Sequence, residues 1–290
     1  MDAGHLRFSV GALDCIAVSD GALVCGPPDD PPPASVLFAN APQAEVEAAL
    51  EEAGETLPWM QWTEEITCLL VDAGGQRILI DAGAGELDPE TGRLIEHLAG
   101  AGVAPADIDA VIISHGHPDH IGGLVTGDGA LAFPAARIFL SKTEWEFWMG
   151  GEAERVLPAE VAAMLVGFAC KTLPLIEDRV ELIDEEAELF PGVRCLPMPG
   201  HTPGHLALEL WSRSEQLLVV ADAILHPLHV DHPEWHAVVD ADPVLVAQTR
   251  RALLAKAAAE ACLVHAFHFP FPGLGRVSAH DSGWRWTGIS

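Results

Sequence analysis

Ser114-His115-Gly116-His117-Pro118-Asp119-His120 is the stretch on which the reading turns: positions 115 to 120 hold three histidines and one aspartate. Imidazole and carboxylate are the donors that borderline cations such as zinc take up. Side chains at 115 and 117 can face one point while 119 and 120 turn toward a second. A regular helix would bring together only neighbours three or four apart. Val111-Ile112-Ile113 before it reads as a short buried strand. The histidines therefore fall on the loop at a strand's end, where sites are commonly built. A solvated polar loop is the other reading, but this density of an uncommon residue after a buried strand favours a metal site.

Further donors recur downstream on the same plan of apolar strand followed by a polar end. Pro199-Gly200-His201-Thr202-Pro203-Gly204-His205 is a Gly/Pro-punctuated turn with two histidines, Leu217 to Asp222 is an apolar run ending in a carboxylate, and Ala261 to His268 is another ending in histidine.

In these residues the chain resembles the metallo-β-lactamase-fold hydrolases, over about Ile66 to Phe271. His115, His117, Asp119 and His120 match the HxHxDH signature; His201, Asp222 and His268 match the later histidine, the bridging aspartate and the last histidine. The resemblance implies two divalent transition-metal ions, zinc by default, with manganese, cobalt, nickel or iron also suited to such donors. It assigns His115, His117 and His201 to one ion, Asp119, His120 and His268 to the other, and Asp222 to both. Asp119 and Asp222, with a hydroxide shared between the ions, would then carry catalysis. Asp81-Ala82-Gly83 resembles the family's Asp-Thr-Gly loop, whose aspartate supports metal ligands from behind; a turn-capping carboxylate is the alternative. His205 is read as structural and His265 as a satisfied core histidine.

His268-Phe269-Pro270-Phe271-Pro272-Gly273-Leu274-Gly275 resembles the H-x-x-F-P-G-x-G stretch of methyl-parathion-hydrolase-like enzymes, a branch with organophosphate hydrolases, promiscuous lactonases and arylesterases. Acyl-homoserine lactonases place a tyrosine three residues past the bridging aspartate. Leu225 stands there, and the chain has no tyrosine. Trp148 is a candidate pocket wall or core aromatic, and His226 could touch the site. His229, His232 and His236 are left open between pocket lining and solvated loop.

The function expected is hydrolysis of esters, lactones or organophosphate triesters of apolar small molecules. Two other classes compete. A glyoxalase-II-like thioesterase shares the donors but wants a basic cluster, and Arg250, Arg251 and Lys256 fall on one helix while Arg276 stands alone. A catalytically inactive binding protein would be expected to have lost donors. The formal net charge of −28 and the lack of a Lys/Arg run weigh against nucleic-acid partners.

The 290 residues are read as one domain, with an arm around residues 26–40. Gly26-Pro27-Pro28-Asp29-Asp30-Pro31-Pro32-Pro33 fits neither helix nor sheet interior. The arm either crosses a partner subunit in a homodimer or forms a plain loop. No run of 18 apolar residues argues for a membrane span, and Met1-Asp2-Ala3-Gly4-His5 carries no leader signal. Six scattered cysteines read as free thiols in a reducing, cytoplasmic compartment. Residues 5 to 25 read as edge strands, and helices are expected over Gln43–Glu52, Leu94–Ala99, from Glu144, over Pro158–Cys170 and over Pro243–Glu260 behind Asp242 as N-cap. Strands in both halves with helices after each block indicate an α+β chain, an αββα sandwich of two mixed β-sheets with outer helices. The family resemblance implies the same fold.

Overall fold

A computed structural model describes residues 4–28, 30–280 and 283–289. The leader reading on residues 1–3 and the Asp29 part of the Pro-rich stretch lie outside the described residues. Strands β1 (His5–Val10), β2 (Leu13–Cys25), β3 (Trp62–Asp72), β4 (Arg77–Ile80), β5 (Ala110–Ile112), β6 (Arg137–Ser141) and β7 (Val180–Ile183) form one sheet in that order. It is antiparallel from β1 to β4 and parallel from β4 to β7. The second sheet comprises β8 (Glu188–Phe190), β9 (Val193–Pro197), β10 (Leu206–Ser212), β11 (Glu215–Val219), β12 (Leu263–His265), β13 (Leu274–His280) and β14 (Gly283–Gly288). Its single parallel pair is β11 with β12. Both sheets are thus mixed, as expected. The expectation for residues 5 to 25 needs correction: β1 is an edge, but β2 pairs on both sides.

The period-two alternation of side chains explains the layering. Along β3, Leu69 and Val71 face the second sheet, where they meet Leu208, Leu210, Leu217 and Val219. Ile66, Cys68 and Leu70 face the other way, toward helices α3 (Leu94–Gly100), α5 (Lys142–Met149) and α7 (Ala159–Ile176). On β11, Leu217 and Val219 point inward, while Leu218 and Val220 pack under α9 (Pro243–Glu260). The sheets are buried on both faces, so their strands read as near-continuous apolar runs. Asp242 caps α9 by accepting from the N–H groups of Val244 and Leu245. Helix α7 runs six residues past the expected end. It is long and apolar enough to cross a membrane by composition alone; here its Leu165, Val166, Ala169, Leu173 and Ile176 belong to the core.

The arm packs on its own chain. It contains α1 (Pro33–Leu37) and leads into α2 (Gln43–Glu52). The Ala39 N–H donates to His236 O, and Val238 N–H donates to Val36 O. Phe38 is 2% exposed and packs with Trp59, Leu225, Leu228 and Trp235. Phe38→Ala should therefore lower unfolding free energy by about 3–5 kcal/mol, the usual loss for a buried aromatic. Urea unfolding measures this, and a change below about 1 kcal/mol would show that the arm is not part of the folded core.

Candidate metal centre

Each donor is positioned by a strand end or a tight turn. The parallel strand β5 ends at Ile112, and Ser114 O then accepts from Leu206 N–H, joining the two sheets at their rim. His117 is extended and Pro118 opens the one-turn helix α4 (Pro118–Ile121), which swings Asp119 and His120 to a second point. Asp222 follows β11 through Ala221, a residue with φ +42°, and its N–H is held by His205 Nε2 at 3.1 Å. His268 lies three residues past β12.

Two groups of donor atoms result, His115/His117/His201/Asp222 and Asp119/His120/His268/Asp222, each mutually within 4.8 Å. The two Asp222 oxygens divide between them. Oδ2 lies 3.6 Å from His115 Nε2 and 3.3 Å from His201 Nε2; Oδ1 lies 3.2 Å from His120 Nε2 and 3.3 Å from His268 Nε2. Asp119 Oδ2 is 3.3 Å from both His120 Nε2 and His268 Nε2. Donors each about 2.0–2.1 Å from one tetrahedral ion stand roughly 3.3–3.4 Å apart, so these separations suit a cation. Nε2 of His115, His117 and His120 and Oδ1 of Asp222 are buried without a hydrogen bond, and such orphans are rare unless something else satisfies them.

The outward ring nitrogens are tied down. His120 Nδ1 is 2.9 Å from Asp81 Oδ2, and Asp81 also accepts from Ser114 N–H at 2.8 Å and Ser114 Oγ–H at 2.9 Å. His201 Nδ1 meets Asp240 Oδ1 at 2.8 Å, and His268 Nδ1 meets Glu65 O at 3.0 Å. These contacts leave Nε2 of each ring to face the centre. Electrostatics follow from that packing. Burial lowers the His117 pKa to about 3, with His201 adding to the effect. At His201 and His268 burial works in the same direction, but Asp222 with Asp240 or with Glu64 outweighs it and raises them to about 9 and about 10. Burial pushes Glu64 itself up to about 7.

Several sequence-singled residues lie elsewhere than expected. Trp148 is 1% exposed and sits behind the donor loop, its ring 5.5 Å from His117 and its Nε1 bonded to Glu144. Leu225 is buried in the arm cluster. His226 lies edge-on to Phe38, Trp59 and Trp62 at 5.5, 5.5 and 6.1 Å. His229 Nε2 meets Leu37 O at 3.0 Å, and His232 stacks on Trp235 at 3.8 Å, so both belong to the arm's anchorage. His236 likewise joins that anchorage through its backbone and Asn40. His265 is buried, but neither ring nitrogen has a hydrogen bond among the described residues. It is therefore not the satisfied histidine expected, and burial holds it neutral, at a pKa of about 4. Asp240, Glu144 and the aromatic group Phe38, Trp59 and Trp62 were not singled out from the sequence. Trp62 stands edge-on to His268 at 6.3 Å. Beside Phe38 and Trp59 opens a cavity of about 500 Å³, also lined by Val46, Leu50 and Leu57.

Two seven-stranded mixed sheets with helices outside, and paired His/Asp clusters at their rim, define a class, and residues 63–268 match the profile of the Metallo-beta-lactamase superfamily. The chain belongs to that superfamily. It is 31% identical over 135 residues to "N-acyl homoserine lactonase AiiA" of Bacillus thuringiensis subsp. kurstaki, covering 46% of each chain. The match thus spans about half the length of that relative. It is 29% identical over 193 residues to "Metallo-beta-lactamase domain-containing protein 1" of Mus musculus, covering 64% of this chain and 62% of that one. Among solved structures, the dizinc quorum-quenching lactonase AidC, bound to an acyl-homoserine product, superposes with a TM-score of 0.89 at 28% identity, covering 99% of this chain and 98% of that one. The hydrolase AbOPH gives the same score and identity over 100% and 99%.

Proposed function

We propose that the chain is a dinuclear metal-dependent hydrolase of apolar lactones, esters or phosphotriesters. The observation that carries this reading is the carboxylate of Asp222, which takes part in both groups of buried donors, with Oδ2 near His115 and His201 and Oδ1 near His120 and His268. His115, His117 and His201 would hold one ion, Asp119, His120 and His268 the other, and Asp222 both; zinc suits the donor set. Such a pair of ions supplies Lewis acidity toward a C=O or P=O and brings the pKa of water toward neutrality.

The chain's own residues do the rest. Asp81, Asp240 and the Glu65 carbonyl fix ring orientation, and half-buried Trp62, edge-on to His268, presents apolar surface beside the centre that favours an apolar substrate. Leu225 has no proton to offer, but its neighbour His226 has one. His226 Nδ1 accepts from Leu228 N–H at 3.2 Å, and burial lowers its pKa to about 3. The ring is therefore neutral with its proton on Nε2, a donor suited to a developing oxyanion. The similarity to lactonases supports a lactone substrate, and the six free cysteines support a reducing, cytoplasmic setting.

Purified chain should carry two transition-metal ions, by plasma emission analysis, and chelation should abolish hydrolysis. Eight donor positions, counting Asp222 once in each set, exceed what one tetrahedral ion takes. A stoichiometry fixed at one under metal-replete conditions overturns the dinuclear reading.

A further inference from the structure

Glu144 is a fully buried acid on α5 with no Lys or Arg ion pair among the described residues. Burying a carboxylate without a cation is unfavourable unless donors surround it, and four do. Oε1 accepts from Gly116 N–H at 2.8 Å and Trp148 Nε1–H at 2.6 Å. Oε2 accepts from Thr202 Oγ–H at 2.6 Å and Gly204 N–H at 3.1 Å. Gly116 lies between His115 and His117, and Thr202 follows His201. One carboxylate therefore joins the two turns that carry the three imidazoles of a single donor set. The approach is close on both sides: a Cβ at Gly116 would lie 2.4 Å from Trp148 Nε1, and one at Gly204 would lie 2.2 Å from Glu144 N. Glu144 N–H is in turn held by Ser141 Oγ at the helix N-cap.

We infer that Glu144 is a positioning residue for the His115/His117/His201 ion: it sets the separation of the two turns and touches neither the ion nor the substrate. The inference rests on the dinuclear reading above. It predicts asymmetry, because among the described residues the Glu144 carboxylate bonds to Gly116, Trp148, Thr202 and Gly204, and to none of Asp119, His120 and His268. Loss of Glu144 should loosen one ion and leave the other.

The test uses the full chain loaded with Co²⁺, titrated with a competing chelator while the visible absorption of each bound ion is followed. Glu144→Ala should weaken one of the two ions about tenfold or more, the scale seen when supporting partners of metal ligands are removed, and should shift that ion's absorption band. Glu144→Gln can keep both Oε1 partners and turn its amide toward Thr202, whose hydroxyl can accept, but it opposes the Gly204 N–H; its loss should fall between. Melting temperatures with and without Co²⁺ separate a positioning role from a general one. An equal fall in both, with unchanged affinities and spectrum, overturns the inference. Equal weakening of both ions also overturns it. Should Glu144→Ala fail to fold, Trp148→Phe and Thr202→Val each remove one donor, and unchanged affinity of both ions in both variants is again fatal. Wild-type chain that binds fewer than two Co²⁺ ions overturns the dinuclear reading itself.

Discussion

Asp222→Ala is expected to lower kcat/KM by about 10²–10⁴-fold, since a bound metal is worth several kcal/mol of barrier and each 1.4 kcal/mol is about tenfold. Among the described residues the carboxylate is the group shared by both donor sets, 3.2–3.6 Å from the Nε2 atoms of His115, His120, His201 and His268. Removing it withdraws a negative charge from four imidazoles at once. His205→Ala is expected to lower kcat/KM by no more than about tenfold, the scale of one buried N–H left without its acceptor. The hydrogen bond from His205 to the centre goes to the Asp222 backbone N–H, at 3.1 Å, and its ring packs 5.1 Å from that of His115 and 5.8 Å from that of His201. Steady-state kinetics with metal content measured on the same samples compares the two. Equal loss of metal and turnover would move His205 into the donor set.

The second large effect concerns substrate. Across an aryl ester, a long-chain lactone, a glutathione thioester and an RNA oligonucleotide, the ester and the lactone should lead in kcat/KM. On the proposed reading, burying an apolar chain against half-buried Trp62 yields about 25 cal/mol per Å². A polyanion meets the field of a chain with formal net charge −28, an effect of about 10–10³-fold on encounter alone. With no tyrosine in the chain to stabilise a developing oxyanion, leaving-group quality should matter, so aryl esters should outrun unactivated alkyl esters. RNA or the thioester coming out clearly on top would overturn the assignment.

Much of this was legible in the sequence because the donors obey local rules. His115 to His120, Asp222 and His268 follow short apolar strands and His201 sits in a Gly/Pro turn, so pattern marks them as candidates, and the family resemblance selects His201 over His205 and His268 over His265. The long helices were visible from their period and caps, as Asp242 before Pro243 shows. What pattern could not reveal are groups that reach the centre by packing. Asp240 comes within 2.8 Å of His201 from 39 residues away. Glu144 looks like an ordinary helix acid until the fold closes over it. Trp148 carries no local sign of which face it takes, and the sandwich places it behind the donor loop. The arm's proline run concealed that Phe38 would be among the most buried aromatics. Edge and interior strands have similar patterns, which is why β2 read as an edge.

The matched family region begins at residue 63, and the aromatic surroundings of His226 come from Phe38, Trp59 and Trp62, all before it. On the proposed reading, reactivity and taste therefore lie on separate stretches of one gene. On that same reading, a combinatorial library over codons 33–62 that spares buried residues such as Phe38 and Trp59 is expected to vary what the protein accepts while leaving every donor atom untouched.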